Sequence, residues 1–313
     1  MIPVKDAAQI IEVTPNRLKQ IIKENKFKIH KESNGFLKLP NETMRQILLM
    51  RGASFTCRII VIGMQKGGVG KTALTLNAAI GAARRGFRVL IVDFDPEVCA
   101  TRFLAPEDVN LDMLGSIYEV FHDGGLIKDY VVPSRFDGVC FLPSKPKMRR
   151  IERSVGGKNP KYLLKEKMKG LEEEFDLIFF DLPPAFNTME SAAYLSSDLV
   201  ICPLDEDVFS IDSFAMTVED IHEVCEQFDV SPPPIKLLRN KTTSEDRISY
   251  KETYEELMKD HGDKLLPFFI KSKAAVKNSI NSGVSVFDLK GELDLKSSIG
   301  ELVSYICPKF SLN

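Results

Sequence analysis

The stretch IIVIGMQKGGVGKTALTLN, residues 59–77, decides the fold. A short apolar, β-favouring run enters a glycine-rich turn, and an alanine-rich helical pattern leaves it. Strand, glycine loop, helix is the context in which backbone N–H groups curl around phosphate oxygens at a helix N-terminus. Gly67, Gly68 and Gly70, with Val69 between them, allow that curl. Lys71 is placed to reach β/γ-phosphates, and the Thr72 hydroxyl to ligate Mg2+. The general rule G-x-x-x-x-G-K-[ST] is nevertheless broken. Gln65 stands where the first glycine belongs, and an extra lysine, Lys66, lies close by.

Outward from this loop the chain reads as apolar runs alternating with longer helical patterns. The spacing predicts strands at 58–63, 88–93, 139–143, 176–181, 198–203, 235–239 and 265–270. Nearly continuous apolar strands separated by helices imply an α/β fold, a mostly parallel sheet covered by helices on both faces. Ligands of such sheets bind at the C-terminal strand ends. There VDFDPE places Asp93 and Asp95, and FFDLPP places Asp181, where a carboxylate can hold Mg2+ through water. One acid at a strand tip is often only a helix cap. Several acids ending separate strands beside a phosphate loop favour nucleotide–metal chemistry.

KGGVGKT at 66–72, DFDP at 93–96 and DLPP at 181–184 together resemble the deviant Walker A, switch I and switch II motifs of the ParA/MinD family of P-loop ATPases. The resemblance runs from about residue 57 to 290 and includes LSSDLVICPLDEDVFSIDSF and FFIKSKAAVKNSINSGVSVFD. It implies ATP and Mg2+ as cofactors, and a sandwich dimer closed by ATP and opened by hydrolysis. Lys66 would cross to the nucleotide of the partner copy, offsetting triphosphate repulsion. Lys71 and Asp95 would complete the catalytic set, Asp95 orienting the attacking water, while Thr72, Asp93 and Asp181 support the Mg2+ shell. Residues 67–73, ending in Ala73, would line the nucleotide, with Asn240 and Pro267 where the family contacts adenine. Two departures stand out: Ala73 replaces a second hydroxyl residue, and Glu97, Val98 and Cys99 replace the usual Gln-Gly-Asn. Slow hydrolysis is the expectation.

The first fifty residues differ from this body. PVKDAAQIIE reads as a helix with Ala7, Ala8, Ile10 and Ile11 inward. Thr14 and Pro15 are an N-cap and a first helical residue for PNRLKQIIKEN, with Leu18, Ile21 and Ile22 on one face. FKIHKESNGFLKLP reads as a hairpin about Asn34-Gly35, and Asn41 as the cap of a third helix. Helix, turn, helix and wing resemble the DNA-binding head of MerR-type regulators, with Asn16, Arg17, Lys19, Gln20 and Lys23 outward for bases and phosphates. A small helical interaction domain is the competing reading. The division expected is a winged helix-turn-helix at 1–52 and a ParA-like ATPase domain at 53–313.

Charge points the same way. Net charge is −2 over 313 residues, yet residues 1–51 carry 10 basic and 5 acidic side chains, and residues 145–169 carry 10 and 2. Two basic islands in an acidic chain suggest polyanion contacts, against the plainer reading of solvated faces. Arg149, Arg150 and Arg153, with Lys271, Lys273 and Lys277, are the candidates for non-specific duplex contact. The six cysteines and four histidines are scattered, with no ligand spacing, so idle thiols are expected rather than a zinc site or disulfide framework. No apolar run is long enough to cross a membrane, and the N-terminus lacks the pattern of a signal peptide.

Within the family, the chain lacks a basic amphipathic terminal helix, cluster cysteines and a Tyr-rich tail. What remains implied is DNA partition: a cytoplasmic, nucleoid-associated ATPase whose homodimer grips DNA without reading sequence. A ParB-type centromere-binding protein would be its partner, and the head would bind operator DNA. The alternatives are a transcription regulator whose oligomeric state follows nucleotide, and an ATP-dependent biosynthetic ligase of related fold.

Overall fold

The computed structural model describes the chain apart from residues 34, 208, 243–254, 256–257, 260, 272–273, 309 and 311–313. Asn34 and Lys273 therefore lie outside the described residues. The N-terminal segment runs β1 (Ile2–Pro3), α1 (Val4–Ile10), α2 (Pro15–Glu24), β2 (His30–Lys31), β3 (Leu37–Leu39) and α3 (Asn41–Met50). The Thr14 hydroxyl accepts from the Arg17 N–H at 3.2 Å, and Pro15 opens α2. Leu18, Ile21 and Ile22 bury against Ala7 and Ala8 of the first helix, Ile11 at its C-cap, and Met44, Ile47 and Leu48 of the third. Ile10 is only partly buried against them.

Two sequence expectations are corrected here. Residue 3 belongs to a strand rather than to the first helix: β1 pairs antiparallel with β3, whose other edge takes β2. Nor does Asn41 cap α3. Pro40 holds the N-cap position, and the Asn41 amide instead donates to the carbonyls of Ala83 at 2.6 Å and Phe87 at 2.9 Å. A polar side chain that reads as a local cap is a long-range tether.

The body is an eight-stranded sheet in the order β11-β10-β9-β4-β8-β5-β7-β6. Its strands are β4 (Arg58–Ile62), β5 (Val89–Asp93), β6 (Val132–Pro133), β7 (Val139–Leu142), β8 (Leu177–Asp181), β9 (Leu199–Leu204), β10 (Ile235–Thr242) and β11 (Leu265–Lys271). All seven expected strands form and run parallel. The two-residue β6, too short for a periodic signal, adds an antiparallel edge. Apolar clusters cover both faces, one including Val61, Leu90 and Phe180, the other Ile60, Ile91 and Phe179 with helix α4 (Lys71–Arg84).

The N-terminal segment docks on the edge where the strands begin. Besides the Asn41 bonds, Arg45 pairs in two-pronged fashion with Asp176, just before β8, and its guanidinium lies 4.0 Å from the centre of the Phe55 ring. Gly138, at φ +78°, leaves room for Asn41: a Cβ there would stand 2.4 Å from its side chain. Phosphate loop and docked segment thus meet opposite ends of α4, whose 14 residues span about 21 Å.

Candidate nucleotide and metal site

The site begins where β4 ends. Gly68 and Gly70 take φ +76° and +96°, a left-handed backbone that suits glycine, and Gly70 delivers the chain into α4. The loop is braced from outside. Asn240, at the end of β10, donates to the Val69 carbonyl at 2.7 Å, and Lys241 donates to the Gly68 carbonyl. Lys71 donates to the Lys66 carbonyl at 2.8 Å. Among the described residues no protein acceptor is recorded for the N–H groups of Gly67, Gly68, Val69 or Gly70. A turn with its carbonyls engaged and its N–H groups unspent is suited to an anion.

Beside it opens a cavity of about 550 Å³. Gly67, Gly68, Gly70, Lys71, Thr72 and Ala73 form its loop side, Asp95, Glu97 and Cys99 one rim, and Ile270, Val276, Ile280 and Ile299 an apolar wall. Asn240, Lys241, Lys271 and Lys277 also line it. Lys271 and Lys277, candidates for duplex contact, therefore stand at this cavity. Pro267 does not: it sits exposed mid-way along β11, an edge strand where a missing N–H is tolerated. The wall at that height is Ile270. Lys241 had no sequence signal of its own, because nothing in its neighbourhood foretells that its ammonium reaches back to Gly68.

Parallel registry sets the acids. Asp93 and Asp181 are direct cross-strand neighbours at the ends of β5 and β8, both fully buried. Asp93 is saturated: it accepts from the Thr101 N–H at 2.9 Å, the Thr101 hydroxyl at 2.6 Å and the Asp95 N–H at 2.9 Å. Burial still pushes its pKa up to about 6 against these bonds. Asp181 is the opposite case. By distance and angle neither carboxylate oxygen has a hydrogen-bond partner among the described residues; burial, then Asp93 and more weakly Asp95, push its pKa well up, while the nearby Thr72 hydroxyl and Lys71 pull it back. A buried carboxylate without partner, facing a hydroxyl and a lysine, fits a divalent cation. Among the described residues no group of three His, Cys, Asp or Glu side chains is arranged as a metal site, so the remaining positions around such an ion fall to phosphate oxygens and water. Lys71 is only 7% exposed; burial lowers its pKa, against the pull of Asp181 and Asp95.

Lys66 points away from its own loop. Its ammonium meets Asp207 at 2.7 Å, Asp205 at 3.2 Å and the Ser210 hydroxyl at 2.6 Å. Burial works to lower its pKa, but the bonds to Asp207 and Asp205 outweigh it and raise it. Asp95 accepts from the Glu97 N–H at 2.8 Å, so its carboxylate turns onto its own loop.

A model of the AAA domain family (AAA_31) matches residues 57–231, more than half of the chain. The chain belongs to that family. This AAA-domain chain is 30% identical over 172 residues to the chromosome partitioning protein ParA of Myxococcus xanthus (strain DK1622), an alignment taking in 55% of this chain and 60% of that protein. Among solved structures, apo McdA of Cyanothece superposes with a TM-score of 0.71 at 20% identity, covering 80% of this chain and 98% of that one. Cobyrinic acid a,c-diamide synthase from Mycobacterium smegmatis with bound ATP analogue and magnesium gives 0.64 at 21%, covering 80% and 94%. At such identity these structures establish a shared P-loop fold and nothing finer.

The remaining candidates are not among the residues that line this cavity, although Arg149 reaches its rim. Asn16, Arg17, Lys19, Gln20 and Lys23 are exposed on α2. Lys19, Lys23 and Lys26 rim a cleft of about 370 Å³ floored by Ile22, Phe27 and Leu37. Arg150 and Arg153 are exposed, and Arg149 pairs with Glu97 at 2.6 Å. All six thiols are free, and among the described residues no helix is long and apolar enough to cross a membrane.

Proposed function

We propose that the chain is a Mg2+-dependent ATPase of DNA partition that works as an ATP-closed homodimer. The observation that carries this reading is Lys66, a lysine turned away from its own phosphate loop and held by Asp205, Asp207 and Ser210. A cation on that outer arm has no use at its own triphosphate, and a clear one at a second copy's.

In this reading the N–H groups of residues 67–70 cradle phosphate and Lys71 exchanges the Lys66 carbonyl for β/γ oxygens. Thr72 and Asp181 would hold Mg2+, which when bound neutralises charge on the β- and γ-phosphates. Asp93 acts indirectly, since its carboxylate is committed to Thr101 and to the N–H of Asp95. Asp95 orients water once it releases the Glu97 N–H. Ala73 and Asn240 line the nucleotide, and the apolar wall at Ile270 takes the place given to Pro267.

Residues 1–52 act as a winged helix-turn-helix on operator DNA through the exposed face of α2, and residues 53–313 as the ATPase domain. Arg149, Arg150 and Arg153 supply sequence-independent phosphate contacts, strongly salt-dependent. A ParB-type centromere-binding protein stimulates hydrolysis, and the protein works on the nucleoid in the cytoplasm. The docking of the N-terminal segment at the far end of α4 supports separate tasks for the two basic regions.

The test is a mobility shift on random-sequence duplex with no nucleotide, ADP, ATP or a slowly hydrolysed analogue, with Lys66→Ala alongside. Binding confined to the ATP states and lost in Lys66→Ala upholds the reading. Binding that ignores nucleotide and survives the substitution transfers DNA contact to the N-terminal segment and makes the protein a regulator.

A further inference from the structure

One basic segment fastens both acid-bearing loops. Pro146–Arg150 forms a tight 3-10 turn and Glu152–Val155 a short helix, anchored by Met148, Ile151 and Val155 in the core. Just before them the Ser144 N–H donates at 2.8 Å to the Thr101 hydroxyl, which itself donates to Asp93. From the exposed face Arg149 reaches Glu97 at 2.6 Å. Two residues past the anchor turn, Glu152 accepts from the N–H of Thr188 at 3.2 Å and from its hydroxyl, at the first turn of the helix that ends the loop after Asp181. The backbone is therefore held by core packing, while its charged side chains set the position of loops on either side.

We propose that the Arg149–Glu97 pair is a brake on Asp95 that a phosphate of duplex DNA releases. The proposal rests on the reading that this site hydrolyses ATP and that the basic segment lies against DNA. Glu97 donates its N–H to Asp95, so fastening the Glu97 side chain keeps the Asp95 carboxylate folded onto its own loop, away from a nucleophile. Val98, next in the chain, holds a left-handed φ of +53°, a conformation costly for a β-branched residue that the pair helps retain. The pair's side chains are 66% and 65% exposed, and exposed pairs of this kind are weak. A duplex phosphate can replace Glu97 on Arg149, aided by Arg150 and Arg153 on the same segment. The freed Glu97 lets the turn open and Asp95 reach its water. DNA occupancy would then be read by the hydrolytic loop through residues that stand where the family pattern has others.

The experiment is steady-state Mg-ATPase of full-length protein with and without random-sequence duplex, for wild type, Glu97→Gln, Arg149→Gln and the double variant. Weak exposed pairs predict a two- to five-fold rise in DNA-free turnover for each single variant. The stimulation ratio falls by the same factor in Glu97→Gln. Because the pair acts as one unit, the double variant should match the singles rather than multiply them. DNA-free turnover that is unchanged or lower in Glu97→Gln, or single effects that multiply, overturns the brake. A second readout does not need turnover: amide hydrogen exchange over residues 93–101 with ADP bound. Duplex should speed it in wild type, and it should already be fast in Glu97→Gln; no response to duplex in wild type overturns the brake. A wild type that responds in exchange but hydrolyses no ATP sinks the ATPase reading, and the turnover comparison with it, while a duplex-released latch on the Asp95 turn stands.

Discussion

Replacing Asp181 by asparagine should make the ligand-free protein more stable and the Mg-ATP-bound protein relatively less so. Both oxygens of this carboxylate are buried without a partner among the described residues, and Asp93 is its cross-strand neighbour. An unsatisfied buried polar group costs about 1–3 kcal/mol, more when charged. The isosteric amide removes the charge and the repulsion from Asp93. Against this, Lys71 loses one attracting partner but keeps its bond to the Lys66 carbonyl, which leaves a net gain of about 1 kcal/mol. In a chain of this size that is about 2 °C in Tm. Ligand at a hundred times its Kd stabilises the wild type by about 2.7 kcal/mol, or roughly 5 °C. The asparagine variant should lose the magnesium-dependent part of that shift, so the order of stability reverses on adding Mg-ATP. Thermal unfolding by circular dichroism in EDTA, in ATP with EDTA, and in Mg-ATP reads all three states. A variant less stable than wild type in EDTA would mean the carboxylate is satisfied in the folded protein. A variant with the full magnesium shift would remove Asp181 from the metal site.

Other expectations concern the docked segment and a buried acid. Arg45→Ala leaves the buried Asp176 with Arg88 alone, so urea denaturation should show a loss of about 1–3 kcal/mol, with faster proteolysis near residue 52. Gly138→Ala drives a methyl to 2.4 Å from Asn41 at a positive φ, a destabilisation of about 1–3 kcal/mol. The same glycine change made in Asn41→Gly, which also removes the Cβ that would lie 2.7 Å away, should cost less, and equal costs in the two backgrounds refute the contact. Glu190 is 3% exposed, and burial raises its pKa from the usual 4.5 to about 7. Its stabilising contribution is then complete below pH 4.5 and lost as pH rises through 7, up to about 3 kcal/mol. Glu190→Gln should flatten that part of the stability–pH profile between pH 5 and 8; an unchanged slope refutes the shift.

The seven strands and the phosphate loop were legible because their signals are local. An apolar run needs only its own residues to announce a strand buried on both faces, and a glycine turn before a helix announces its conformation through φ. Thr14 and Pro15 were legible for the same reason. Asn41 was misread by the same logic: a good cap residue at a helix start looks local until a carbonyl forty-two residues away claims its amide. Pro267 is not among the cavity's lining residues, where Ile270 stands instead, because a motif resemblance carries a position along a strand but not the height at which a cavity wall begins.

By itself the sequence determined a parallel α/β body, a phosphate loop with an additional lysine, acids at strand tips and a separate basic segment before them. Tertiary structure alone decided how those acids differ. Parallel registry set Asp93 beside Asp181, and packing of the short helix that carries Thr101 satisfied the first while giving the second no such donor. It also decided that Lys241 and Asn240 brace the loop, that Lys66 rests on Asp205 and Asp207, and that the N-terminal segment docks where the strands begin. The physical reason is common to all of these. Strand and helix follow from backbone preferences and hydrophobic period along the chain, whereas desolvation and pairing of a charge depend on atoms that only folding brings within reach.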